Sequence, residues 1–342
     1  MIDGPDMDFV ERVWLPALAP LYDTWFRVEA TGLGNIPADG PAILVSNHSG
    51  NIPVDALMTQ VAVHRGTGRW SRLLAGDVAY AVPGVGALAS RLGAVRADRA
   101  NAHRLLADGE LLGDYPEGYR GLGKPYTSRY RLRRFGRGGF AALALRHGAP
   151  IVPVAVVGAE EIYPQLGSVF RGSNLLGGEG VEAGIGRAEG VAPLDEAVEE
   201  LVIGLADLLA DGAATPLAQL PGFFLGEDGA KRRAAVVAML RDIALAAAKG
   251  MGVPYVPVTP FFPWLGPLGA IPLPSKWTID VMEPIDPLEW ARGYRAGIME
   301  PGSPEPEAHA DAVAVLGLAE EVRGRVQERL LERLRTRRSA FY

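Results

Sequence analysis

The apolar run Pro41-Ala42-Ile43-Leu44-Val45 predicts a buried strand over 42–46. Polar Asn47-His48-Ser49-Gly50-Asn51 after it reads as a loop, and 53–64 as a helix with Pro53 near its start. The pattern then repeats. Residues 28–30, 70–76, 93–99 and 111–115 carry strand signals; 84–92, 100–110 and 137–147 carry helix signals. Ile151–Val157 is a strongly apolar strand, Lys276–Met282 reads as the last strand, and 311–337 as a long charged helix. Strands alternating with helices predict an α/β fold, a mixed central sheet flanked by helices, with reactive loops at the strand ends.

Two segments depart from this rhythm. Residues 8–27 read as an amphipathic helix in which Phe9, Val13, Leu18, Leu21, Tyr22 and Trp25 form an apolar face, although Pro16 and Pro20 limit its regularity. Such a face packs on a core or lies at a membrane interface with its tryptophans at headgroup depth. Residues 167–250 contain a Gly-rich stretch and two Ala/Leu-rich amphipathic patterns, 194–210 and 230–249, and predict a mainly helical insertion or lid. The domain pattern is therefore 1–166 and 251–342 as the α/β unit, with 167–250 inserted. The α/β theme resumes at Pro254–Pro260. The proline-broken apolar stretch Phe261–Gly269 reads as an exposed or channel-lining loop, and 299–308 as a linker.

Composition narrows the chemistry. Hydrophobic residues make up 48% of 342, enough for a sizeable core. The net charge of −6 argues against nucleic acid as a partner of the whole molecule, so any anion is met by a local basic patch. The absence of cysteine excludes disulfides, thiolate metal sites and a cysteine nucleophile, and the five scattered histidines indicate no metal site. The acidic opening residues predict no secretory signal. No apolar run reaches the roughly 18–20 residues that span a bilayer. Contact with lipid would be from the surface, and the expected location is the cytoplasm, peripheral to the inner face of the cell membrane.

His48 and Asp55 are the first candidate pair, since a histidine beside a carboxylate is equipped to take a proton from a hydroxyl. Six residues separate them. On a continuous helix that offset means about 10 Å of rise, so a loop from Ser49 to Ile52 must return Asp55 to the histidine. Downstream lie Gly93-Ala-Val-Arg-Ala-Asp-Arg99, Tyr115-Pro116-Glu117-Gly118 with Arg120, and Ile151-Val152-Pro153-Val154. No Gly-x-Ser-x-Gly hydrolase elbow is present.

Together these four blocks resemble the glycerolipid acyltransferase superfamily, the 1-acylglycerol-3-phosphate acyltransferase-like enzymes, over roughly 28–165 and 250–338. The family's first block is His-x4-Asp, so this chain carries a longer spacing. The second, Gly-x-x-Phe-Ile-x-Arg, survives only at Gly93 and Arg99. The third, Phe-Pro-Glu-Gly, is the most specific. The resemblance implies transfer of a fatty acyl group from acyl-CoA, or acyl carrier protein, to a glycerolipid hydroxyl, with no further cofactor. It makes His48 the general base and Asp55 its orienting partner. It assigns Arg99, Glu117, Gly118 and Arg120 to the acceptor and its phosphate, with lysophosphatidic acid as first choice. Backbone N–H groups at Ser49, Gly50 and near Gly118 are candidate oxyanion donors. Arg129, Arg131, Arg133, Arg134 and Arg137 form the densest basic run, a candidate patch for donor phosphates or anionic headgroups. If 129–133 is extended, alternate arginines share one side. A neutral glyceride or another lysolipid as acceptor, and a non-catalytic lipid-binding protein of the same fold, are the alternatives.

Overall fold

The computed structural model describes residues 4–49, 53–81, 84–124, 126–164, 167–170, 255–258, 271–298 and 312–340. The chain divides into two compact units. One comprises 1–122, 130–162 and 273–342; the other comprises 123–129 and 163–272.

The first unit is built on a seven-stranded mixed sheet. Its strands are β1 (Glu29–Thr31), β2 (Ala42–Ser46), β3 (Arg72–Ala75), β4 (Val95–Arg96), β5 (Leu111–Asp114), β6 (Ile151–Val157) and β9 (Thr278–Val281). The second unit contains β7 (Gly167–Phe170) and β8 (Tyr255–Val258), paired antiparallel. The main sheet runs β1-β9-β6-β2-β5-β3-β4. β2 is central and parallel to both β5 and β6. β3 and β4 extend the parallel part, while β9 runs antiparallel to β6 and parallel to β1. Every residue of β2 and β6 is buried, because both faces of the sheet are covered. This explains why these strands read as continuous apolar runs rather than alternating ones.

The helices are α1 (Val54–Thr67), α2 (Asp77–Ala81), α3 (Val85–Arg91), α4 (Arg99–Ala107), α5 (Tyr119–Leu122), α6 (Gly139–His147), α7 (Pro287–Ile298) and α8 (Ala312–Thr336). Phe140, Ala144, Leu318 and Val322 from α6 and α8 pack on Ile43, Val45, Leu112 and Ile151. Further along α8, Val326 and Leu330 close over Ala155, Val157 and Tyr130. None of the described helices is long and apolar enough to cross a membrane.

The amino-terminal segment is helical but irregular. Met7–Phe9 and Leu15–Ala19 are α-helical, whereas Val10–Trp14 and Pro20–Trp25 form π turns. Prolines 16 and 20 lack the N–H that an α ladder requires, and the Phe26 N–H reaches back five residues to the Leu21 carbonyl. The buried stripe is Val10, Leu18, Tyr22 and Phe26; Val13 and Trp25 of the predicted face are 51% and 38% exposed.

Two boundaries differ from the sequence reading. The first unit ends at Ile162 and resumes at Leu273 instead of at 166 and 251. β8 does not return to the main sheet but pairs with β7, a strand where a helical insertion was expected to begin. The two amphipathic patterns 194–210 and 230–249, the 261–269 loop and the 299–308 linker lie outside the described residues.

Candidate active site

β2, β5, β3 and β4 are parallel, so the segments that follow them leave from one edge of the sheet. His48 follows β2, Tyr115–Gly118 follow β5, and Arg99 follows β4. β6 is parallel to β2 and delivers Gly158–Glu161 to that edge as well. Reactive groups gather there because strand carboxyl ends open into a crevice.

The turn after β2 is held by Asn47, which is fully buried. Its side-chain amide donates to the Val156 carbonyl at 3.0 Å and its carbonyl accepts the Val156 N–H at 2.8 Å. The side chain thus adds one more rung to the β2–β6 ladder and fixes where the next residue begins. His48 Nδ1 lies 2.8 Å from Asp55 Oδ2, and the same oxygen accepts the Ser49 N–H at 2.8 Å. Asp55 is fully buried in the first turn of α1, and its other oxygen accepts the Ala56 N–H at 2.8 Å. A carboxylate facing Nδ1 places the ring proton there and leaves Nε2 as the acceptor. Nε2 has no partner among the described residues. The Tyr115 ring packs against the imidazole, with centroids 4.8 Å apart and planes tilted 42°. Burial, then the Asp55 charge, holds the Tyr115 phenol above its usual range, so it stays neutral.

Glu117 is 4% exposed. Its Oε1 accepts the His48 N–H at 3.0 Å and its Oε2 accepts the Arg133 N–H at 2.7 Å. The expected acceptor-binding glutamate therefore directs both carboxylate oxygens to the protein's own backbone. Two candidate oxyanion donors are also committed elsewhere: the Ser49 N–H to Asp55, and the Gly118 N–H to the Tyr115 carbonyl at 2.9 Å. Gly118 adopts φ +55°, which suits glycine at this turn. Gly50 lies outside the described residues. The Ser49 hydroxyl is buried and has no partner among the described residues. Arg120 is exposed on the short α5.

Arg99 is exposed at the first position of α4 and has no hydrogen bond or ion pair among the described residues. Nearby Arg96 is instead paired with Asp77 at 2.5 Å and stacked on Tyr80. Gly93 has a structural reason. At φ +79° an added Cβ would sit 2.8 Å from Arg72 Nε. Arg72, 2% exposed, donates from that nitrogen to the Gly93 carbonyl and pairs with Glu110.

The basic run does not form one extended stripe. Arg129 belongs to the second unit, where its guanidinium stacks on Tyr126. Tyr130 turns the chain at φ +60°, which ends any alternation across it. Arg131, Arg134 and Arg137 are exposed and Arg133 is half-buried.

Sequence reading passed over Tyr130, Glu160, Glu161 and Arg337. The Tyr130 hydroxyl accepts the Gly158 N–H at 2.9 Å and donates to Glu161 at 2.8 Å. Its N–H donates to Glu160 and its carbonyl accepts from Gln327. Arg337 pairs with both oxygens of Glu161. Nothing local marks these residues, since their partners lie up to 207 positions apart. Asp114 was legible in principle as an acid ending an apolar strand. Burial pushes its carboxyl up to about 6, opposed by the Tyr115 N–H and the nearby His48.

An acyltransferase family profile matches residues 27–157, which contain all four blocks. An uncharacterized protein of Mycobacterium tuberculosis is 35% identical over 341 residues, 99% of this chain and 70% of that protein. A human protein named DGAT1/2-independent enzyme synthesizing storage lipids is 31% identical over 165 residues, 45% of this chain and 49% of its own length. A chloroplastic 1-acyl-sn-glycerol-3-phosphate acyltransferase of Brassica napus is 25% identical over 168 residues, 46% of this chain and 44% of that protein. The matched range spans all four motif blocks, and the chain belongs to the glycerolipid acyltransferase superfamily.

Proposed function

We propose that this protein transfers a fatty acyl group from a thioester donor, acyl-CoA or acyl carrier protein, to a hydroxyl of a glycerolipid. The supporting observation is the 2.8 Å contact between His48 Nδ1 and Asp55 Oδ2, which leaves Nε2 as an acceptor without a protein partner among the described residues. His48 takes the acceptor hydroxyl proton at Nε2 as that oxygen attacks the thioester carbonyl carbon. The imidazolium, stabilised by Asp55, returns the proton to the departing thiolate when the tetrahedral intermediate collapses and the C–S bond breaks. No enzyme-bound acyl group is required. With the two backbone donors committed elsewhere, the Ser49 hydroxyl is the remaining candidate among the described residues for the oxyanion.

Lysophosphatidic acid is the first-choice acceptor, because Arg99 presents an exposed guanidinium with no partner among the described residues, while the start of α4 itself is already capped by the Asp98 carboxylate. A second reading has a neutral glyceride as acceptor, supported by the storage-lipid name of the human relative. The lipid substrate would be met from the membrane surface on the cytoplasmic side, with exposed Val13 and Trp25 at the interface. The deciding experiment is thiol release from acyl-CoA with a panel of acceptors, on wild type and His48→Ala. Release that requires an acceptor and vanishes in the variant supports transfer. Release by water alone identifies a thioesterase and overturns the proposal.

A further inference from the structure

Glu117 stands in the most specific motif of the chain, yet its carboxylate is enclosed and turned inward. One oxygen holds the His48 N–H and the other holds the Arg133 N–H. Those two N–H groups belong to segments 85 positions apart, the turn carrying the proposed base and the stretch carrying the exposed arginines 131 and 134. The far side of that stretch is anchored independently. The Leu132 N–H donates to Gln327 at 2.9 Å, and Tyr130 is fixed through its N–H, carbonyl and hydroxyl.

The geometry points to Glu117 as a positioning residue, which sets the place of the His48 ring through the His48 backbone and ties it to the arginine-bearing segment 131–134. This rests on the reading of His48 as the base. The chemistry of the contact requires a carboxylate. Each oxygen meets an N–H donor, and glutamine offers one acceptor and one NH2, so a Gln in this place must lose one of the two bonds. Asp55 fixes the tautomer of the imidazole, and the Tyr115 ring packs against it. Glu117 fixes the backbone from which the ring is suspended. Misplacement of a catalytic group by about 1 Å costs up to about a hundredfold in rate.

Gly121 gives a second handle that leaves both side chains chemically intact. A Cβ there would lie 2.7 Å from Glu117 Cβ, 2.9 Å from the His48 carbonyl oxygen and 3.0 Å from His48 Cβ. Gly121→Ala therefore drives a wedge between the two residues.

The test measures His48 before any substrate is present. Diethyl pyrocarbonate modification of His48, followed by peptide mass mapping, is compared in wild type, Glu117→Gln, Glu117→Asp and Gly121→Ala at matched thermal stability. The expected result is a His48 rate altered by at least about twofold in the variants, as a changed imidazole environment requires, with the other histidines unaffected. In the acyl-transfer assay kcat falls by about tenfold to a hundredfold while KM for the acceptor stays within about threefold. An unchanged His48 rate in every folded variant, with KM for the acceptor raised about tenfold, makes Glu117 an acceptor ligand and overturns the inference. Should Glu117→Gln not fold, Gly121→Ala and Glu117→Asp carry the same comparison. Because the modification rate needs neither donor nor acceptor, a protein that proves not to be an acyltransferase fails the activity arm alone.

Discussion

His48 Nδ1 and Asp55 Oδ2 lie 2.8 Å apart across a gap of six residues, two more than the family block carries. The pairing does not use a helix face. Asp55 sits in the first turn of α1 and faces back toward the β2 turn, where it also takes the Ser49 N–H. Its carboxylate therefore serves a helix start and an imidazole at once.

These two duties separate in Asp55→Asn. An amide whose oxygen still accepts from the helix start turns its NH2 toward the imidazole and the Ser49 N–H, so it loses the Ser49 bond and the charge that stabilises an imidazolium, and it permits the wrong tautomer. Thiol release in the presence of acceptor is expected to fall by about a hundredfold to ten thousandfold, with the melting temperature changed far less. Turnover close to wild type would reduce Asp55 to a helix-start carboxylate.

The strands were legible because burial on both faces leaves an unbroken apolar run, as in 42–46 and 151–157. The places of His48 and Glu117 were legible because each follows an apolar strand, whereas Arg99 follows the two-residue β4, whose Arg96 is exposed. What Glu117 does with its carboxylate was not legible, since two of its partners are backbone N–H groups, which every residue but proline carries and which no composition reveals. The same holds for Tyr130, whose left-handed φ and four-sided fixation depend on Glu160, Glu161, Gln327 and Arg337. The basic run misled for a physical reason. Alternation along 129–133 presumes extended backbone, and one residue at φ +60° removes it.

Asp114 makes a stability prediction with a defined sign. Its carboxyl titrates at about 6 in the folded protein against 3.8 for the ordinary group. Between those values the folded state holds the proton more tightly than the unfolded state, so this residue's contribution falls as pH rises through the window. Its cost is absent below about pH 4 and complete above about pH 6. Asp114→Asn is expected to leave the melting temperature near wild type at pH 4 and to raise it at pH 7. A difference that does not change between those two pH values would contradict the assignment.

Arg337 and Glu161 are 12% and 8% exposed at their side chains, so neither charge has bulk water to fall back on. Arg337→Met strands a buried carboxylate beside Tyr130 and is expected to cost about 3–5 kcal/mol in denaturant unfolding. Tyr130→Phe keeps the ion pair but removes the acceptor of the Gly158 N–H, with an expected cost of about 1–3 kcal/mol. If Tyr130→Phe costs as much as Arg337→Met, the hydroxyl and not the ion pair holds this corner.

Arg99 separates the two acceptor readings. Its guanidinium has no partner among the described residues, so truncation removes no protein contact shown here and should leave the fold intact. A charge-assisted bond from arginine to a lipid phosphate contributes about 1.5–3 kcal/mol, which corresponds to roughly a tenfold to a hundredfold change in kcat/KM. Arg99→Ala is therefore expected to lower kcat/KM for lysophosphatidic acid by that factor and to leave turnover of a neutral monoacylglycerol unchanged. The wild-type preference for the phosphorylated acceptor should also weaken as ionic strength rises, because an exposed guanidinium is screened over about 8 Å at physiological salt. Equal kcat/KM for both acceptors in wild type, unaltered by Arg99→Ala, would favour the neutral glyceride and leave Arg99 a surface residue.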